Sequence, residues 1–145
     1  MAQNNAVGTA TAQLPAVELV QTLFDAFSRG DIPYILGCLT ADCRWIAPGQ
    51  GLVPASGEHI GPSGTAQFFQ TLNETEQITL FEPREFFQKA DDVVVLGAEE
   101  MRVLKNGNRA KTNWAMLFRL RDGKVSQWEI FFDTAAYARA HQETQ

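Results

Sequence analysis

With 145 residues, 45% hydrophobic and 20% charged, the chain has the balance of one folded domain around a single core, not of a disordered or membrane-spanning protein. Its 17 acidic and 12 basic residues give a formal charge of −5 without any Lys/Arg cluster, which argues against nucleic acid and anionic membranes as partners. Cys38 and Cys43 are too few for a disulfide framework, no Cys/His group has metal-site spacing and no export signal opens the chain; a cytoplasmic location and no metal or other cofactor are expected.

Residues 1–13 are small and polar without period, and a mobile tail is expected there, ahead of a single domain over 14–141. From Pro15, Val17, Val20, Phe24 and Phe27 recur at helical spacing until Gly30, which predicts a first amphipathic helix. Asp31 can cap a second, with Pro33 in its first turn and Ile35, Leu36 and Leu39 as its buried stripe. Cys43, Trp45 and Ala47 then alternate with Arg44 and Ile46, a short strand stopped by Pro48. The Gly/Pro-rich stretch PGQGLVPASGEHIGPSG (48–64) reads as a long loop that rims a site or forms a lid. It carries His59, which serves as an acid or base from that lid or is simply an exposed loop histidine. Near Pro62 a third helix begins, with Ala66, Phe69 and Leu72 facing inward.

The second half reads as strands. Residues 77–89 form one that bends at Pro83, 93–104 form a long one, and Asn106-Gly107 turns the chain into the next. Asp122-Gly123 marks another tight hairpin inside RAKTNWAMLFRLRDGKVSQWEIFFD (109–133). Alternation puts Thr112, Trp114, Met116 and Phe118 on one side of its first strand, and Ser126, Trp128, Ile130 and Phe132 on one side of its second. Those faces either pack a core or line a cavity for an apolar ligand, and periodicity does not choose between the two. Asp133 or Thr134 caps a last short helix containing Ala136, Tyr137 and Ala140. Helices, one strand, a helix and then consecutive antiparallel strands make an α+β domain with helices on one face of a curved sheet.

The chain resembles the SnoaL-like proteins of the superfamily shared by nuclear transport factor two, ketosteroid isomerase and limonene-epoxide hydrolase. The likeness is carried by FSRGD (27–31), LTADCRW (39–45), SGEHIGPSG (56–64) and LFRLRDGKVSQWEIFFDTAAY (117–137), in order across residues 16 to 140. It implies a cone-shaped nuclear-transport-factor-two-like fold, a curved antiparallel sheet with helices enclosing a deep, mostly apolar pocket, commonly in a homodimer. Isomerases, cyclases, epoxide hydrolases and non-catalytic binders share that fold.

The resemblance also implies where catalytic groups would stand, and this chain departs from each scheme. The isomerase-type carboxylate, Tyr and Asp correspond to Ala47, Leu23 and Met116; the cyclase-type His and acid correspond to Met116 and Ile130. The epoxide-hydrolase scheme needs an Arg and an Asp two residues apart on one strand and an Asp at Ile130, where this chain has Glu100 and Arg102 in reversed order. Residues two apart on a strand share a face, so Glu100 and Arg102 can meet inside the pocket, Glu100 as general base and Arg102 steadying negative charge, or form a structural pair. Trp45, Trp114, Met116, Trp128, Ile130 and His59 are the candidate ligand-binding residues, and a hydrophobic small molecule and a second copy of the chain are the expected partners. A cofactor-independent isomerase, cyclase or hydrolase, a non-catalytic binder and a protein-interaction module are the competing functions.

Overall fold

A computed structural model of the protein describes residues 14–142; the tail expected over 1–13 lies outside them. The described elements are α1 (Ala16–Arg29), α2 (Ile32–Gly37), β1 (Leu39–Ala47), β2 (Gly57–Ile60), α3 (Gly61–Thr75), β3 (Glu76–Lys89), β4 (Asp92–Val103), β5 (Arg109–Arg121), β6 (Lys124–Phe131) and α4 (Thr134–Gln142). The fold is α+β, as the sequence predicts.

Local chemistry sets most of the boundaries. Pro15 precedes α1, and Gly30 ends it at φ 72°, its backbone N–H closing on the carbonyls of Ala26 and Phe27. The stripe runs through Ala16, Leu19, Val20, Leu23 and Ala26, with Val17, Phe24 and Phe27 packed along its edges. Asp31 caps α2 by accepting from the Tyr34 N–H, and Asp133 does the same for α4 through the Ala136 N–H at 3.0 Å. The expected lid stretch is shorter than its composition suggests. Residues 57–60 form β2 on the edge of β1, and α3 starts at Gly61, whose φ of 70° and contact with the Ala41 carbonyl suit only glycine. On α3 the buried residues include Thr65 and Phe68 as well as the partly buried Phe69 and Leu72.

One sheet runs in the order β2-β1-β6-β5-β4-β3. Strands β3 to β6 form an antiparallel meander whose last hairpin turns on Asp122 and Gly123, both at positive φ. The sheet is mixed rather than wholly antiparallel, because β1 lies parallel to β6 and pairs Trp45 with Trp128. Extra residues interrupt the ladders. Thr79 and Arg84 sit at register shifts in β3, the second beside Pro83, and bend that strand as expected. Ser126 is the extra residue between the Arg119–Gln127 and Leu120–Val125 pairs, so Val125, fully buried, takes the inward position expected of Ser126.

The inner faces of β1, β4, β5 and β6 meet α1 and α3 across one apolar cluster that includes Val20, Leu23, Trp45, Phe68, Val93, Val95, Trp114, Met116 and Trp128. Each fully buried Val or Leu of this kind contributes about 1.5–3 kcal/mol. A second cluster, Val53, Met101, Val103, Tyr137 and Ala140, fixes α4 against the far end of β4.

Candidate functional site

The helices do not fill the concave side of the sheet. A cavity of about 110 Å³ remains between α1, α3, β1 and the meander, close to the size of an engineered apolar cavity that admits benzene. Phe24, Phe27, Phe69, Phe81, Phe118 and Trp128 form much of its wall, and the 48–56 stretch closes one side with Pro48, Val53, Ala55 and Ser56. Five wall residues, Phe27, Phe69, Leu72, Glu76 and Ile78, also line a surface groove, so only one layer of side chains separates the cavity from that groove.

Of the residues expected to bind a ligand, Trp45, Met116, Trp128 and Ile130 line this cavity. Trp45 and Trp128 stack at 4.3 Å with an interplanar angle of 18°, a consequence of their pairing across the parallel strands. Trp114 is absent from the wall; it packs over Gly97 against Phe24 and Phe81, which also touch each other, and acts as core. His59 belongs to β2, not to a mobile lid; its ring meets Phe68 edge-on and its Nε2 lies 3.1 Å from the Ala55 carbonyl, outside the cavity wall.

The expected pair of Glu100 and Arg102 is not in the cavity. Along β4 the buried side chains are Val93, Val95, Met101 and Val103, all odd-numbered, so Glu100 and Arg102 project from the opposite, outer face. Glu100 is exposed across from Lys111, and Arg102 hydrogen-bonds Gln77 Oε1 at 2.9 Å in the surface groove. The two side chains form no ion pair.

The acid that does face inward is Glu99. Its Oε2 accepts a 2.7 Å hydrogen bond from the Tyr137 hydroxyl, and both residues line the cavity. Burial, with the like charge of Glu76 adding to it, pushes the Glu99 carboxyl up to about 7 against the opposing hydrogen bond from Tyr137. Burial and the charge of Glu99 likewise hold the Tyr137 hydroxyl well above its ordinary value, so it stays a donor. A second acid, Glu76, enters the wall from the start of β3 and meets His141 Nε2 at 2.7 Å, with side chains only 2% and 4% exposed. Burial raises Glu76 and the imidazole opposes that rise. Tyr137 and His141 lie four residues apart on one face of α4, so this helix delivers both partners.

Sequence reasoning reached neither acid. A usable signal existed: any even-length turn centred on Asn106-Gly107 pairs odd residues of β4 with even residues of β5, so the face of Trp114 and Met116 must carry Glu99. The observed register, Gly97 with Trp114 and Glu99 with Thr112, obeys that parity. The links from α4 to Glu76 and Glu99 have no local signature.

Among the described residues no group of three or more His, Cys, Asp or Glu is arranged to hold a metal, and no helix is long and apolar enough to cross a membrane. Cys38 and Cys43 are both free thiols, and burial pushes the latter up to about 11.

Comparison with known proteins agrees with this architecture. A nuclear-transport-factor-two-like protein from Burkholderia xenovorans LB400 superposes with a TM-score of 0.81 at 30% identity, over 92% of this chain and 100% of the other. TerC, crystallised with polyporic acid, superposes with a TM-score of 0.77 at 28% identity, over 90% and 100%. A candidate polyketide cyclase from Pseudomonas putida KT2440, at 18% identity and a TM-score of 0.72 over 88% and 98%, shares the fold. No curated protein matches significantly. The profile of the SnoaL-like domain matches residues 20–128, and the chain belongs to that family.

Proposed function

We propose that the protein binds an apolar small molecule in the cavity and moves a proton on it without a cofactor, as an isomerase or cyclase, with Glu99 as the proton-handling group. One observation carries this reading. Glu99 faces the cavity and burial pushes its carboxyl up to about 7, and a base poised near the working pH is the one most useful for proton transfer. Tyr137 holds Oε2, which leaves Oε1 to take or return the proton. Crystallisation of TerC with polyporic acid supports a small organic ligand for this fold.

The test begins with native mass spectrometry of the purified protein to identify any bound compound, followed by its incubation in D2O with the protein. Glu99-dependent deuterium uptake at carbon is expected, slowed at least about a hundredfold in Glu99→Gln, the typical value of a general base. A compound that binds equally well to both proteins and takes up no deuterium makes the domain a binder instead.

We also infer that a second copy docks on the outer sheet face. Leu96, Ala115 and Phe131 form a row across β4, β5 and β6, and Leu96 and Phe131 are 37% and 51% exposed. Light scattering of Phe131→Lys should report a monomer where the unchanged protein is a dimer; a monomer in both removes the inference.

A further inference from the structure

The two carboxyls of the cavity differ in one respect. Glu76 finds its cation within the chain, an imidazole at 2.7 Å that cancels its charge when protonated. Glu99 has only a hydroxyl dipole, from Tyr137. Among the described residues no Lys or Arg lines the cavity and none makes an ion pair with Glu99. Arg102 stands in the adjoining groove, and Arg84 and Lys111 stand in a second surface groove that Glu99 also borders; Arg84 is paired there with Glu82, and neither base makes an ion pair with Glu99. A carboxylate withdrawn from water without a counter-charge is costly, and that cost falls when a cation arrives. Around Glu99 the wall is aromatic: Phe81 is its cross-strand partner, and Phe132 packs on Tyr137 with centroids 4.7 Å apart. Rings attract cations, and Phe81, Phe132 and Tyr137 line the same cavity as a carboxyl with no cation of its own.

We propose that the ligand supplies the missing counter-charge, and is a small ring-bearing amine whose ammonium docks on Glu99 between the rings of Phe81, Phe132 and Tyr137. The proposal rests on Glu99 being the group of the cavity that meets the ligand, and it narrows the apolar ligand to a cationic one; with the ammonium docked the carboxyl is held ionised and serves as its anchor. Size fits, since a volume of about 110 Å³ suits roughly one ring. An anionic ligand would meet two carboxyls and no base. A neutral ligand can donate a hydrogen bond to an ionised Glu99 but leaves its charge uncancelled.

Benzylamine, benzyl alcohol and benzoate share a ring and differ in charge, and their binding to the full chain can be followed by calorimetry at pH 6 and pH 8. Benzylamine is expected to bind at least tenfold tighter than benzyl alcohol at pH 8, and benzoate not to bind. Because the amine keeps its proton over this range while Glu99 loses its own around pH 7, benzylamine affinity should rise about tenfold from pH 6 to pH 8. Glu99→Gln should abolish both the preference and the pH dependence and still bind benzyl alcohol, which shows the cavity intact. Equal or tighter binding of benzyl alcohol at pH 8, or an amine preference that survives in Glu99→Gln, overturns the proposal. Benzylamine binding no tighter than benzyl alcohol, alongside Glu99-dependent deuterium uptake in the compound carried by the purified protein, would overturn the amine and leave the proton-transfer reading standing. Failure of all three probes removes both.

Discussion

Glu99 and Glu100 are adjacent on β4 and project to opposite faces of the sheet. Glu99 points into an aromatic cavity and shares a hydrogen bond with a buried tyrosine; Glu100 points into water across from a lysine. Nothing in their chemistry distinguishes them, and the pleat alone assigns one to the site and one to the surface. The difference shows that a carboxylate's role here is set by strand register, which in turn depends on what the neighbouring strand must bury. Charge changes on the inner face should therefore alter stability and pH response, and those on the outer face should do neither.

The sharpest break of that contrast is at the buried pair. His141→Ala leaves Glu76 buried without its partner and should cost about 3–5 kcal/mol in denaturant unfolding, the usual cost of orphaning one member of a buried pair. Gly97→Ala is next. An added Cβ would sit 2.4 Å from Trp114 Cζ2 and 2.5 Å from the Glu82 carbonyl, so the inner face must shift, at about 1–3 kcal/mol.

The third is a pH effect whose sign is fixed by the direction of the shift. The folded protein raises Glu99 from its ordinary 4.5 to about 7, so the folded state holds this proton more tightly than the unfolded chain. The stabilisation is present in full below about pH 4.5 and is lost as pH rises through about 7. Unfolding free energy should fall between pH 5 and pH 8 by up to about 3 kcal/mol, and Glu99→Gln should flatten that part of the curve. Smallest is the outer face. Glu100→Gln and Arg102→Ala should each change stability by no more than about 0.5 kcal/mol and leave benzyl alcohol binding as it was, since both groups are solvated. A large effect there would mean that the two faces are not separated as described.

The same contrast explains what could be read from the chain. Helix α1 was legible because Pro15, Gly30 and a 3.6-residue stripe agree, and the last hairpin because Asp122-Gly123 sits between two strand-like runs. Trp45, Met116, Trp128 and Ile130 were legible as inward positions because strand alternation and the family resemblance place them there, whereas core and cavity lining use the same residue types. On β4 the run Val93, Val94, Val95, Leu96 is apolar on both faces, so local alternation could not decide which glutamate turns inward. Ser126 was misassigned for a related reason, since a bulge shifts parity without any glycine or proline to announce it. His141 and Glu76 stand 65 residues apart, and only the packing of α4 brings them together.

The parallel seam between β1 and β6 has a consequence for how the chain is made. Strand β1 is synthesised well before the neighbour that seals its inner edge, which begins at Lys124. A ribosome-bound fragment lacking β6 would hold Trp45 and Cys43 on a strand paired only with the four-residue β2. Completion of the sheet must wait for the last hairpin, and closing so long a loop is slow in comparison with helix or hairpin formation. The nascent domain is thus most prone to misassociate in the interval after β1 has emerged and before β6 has.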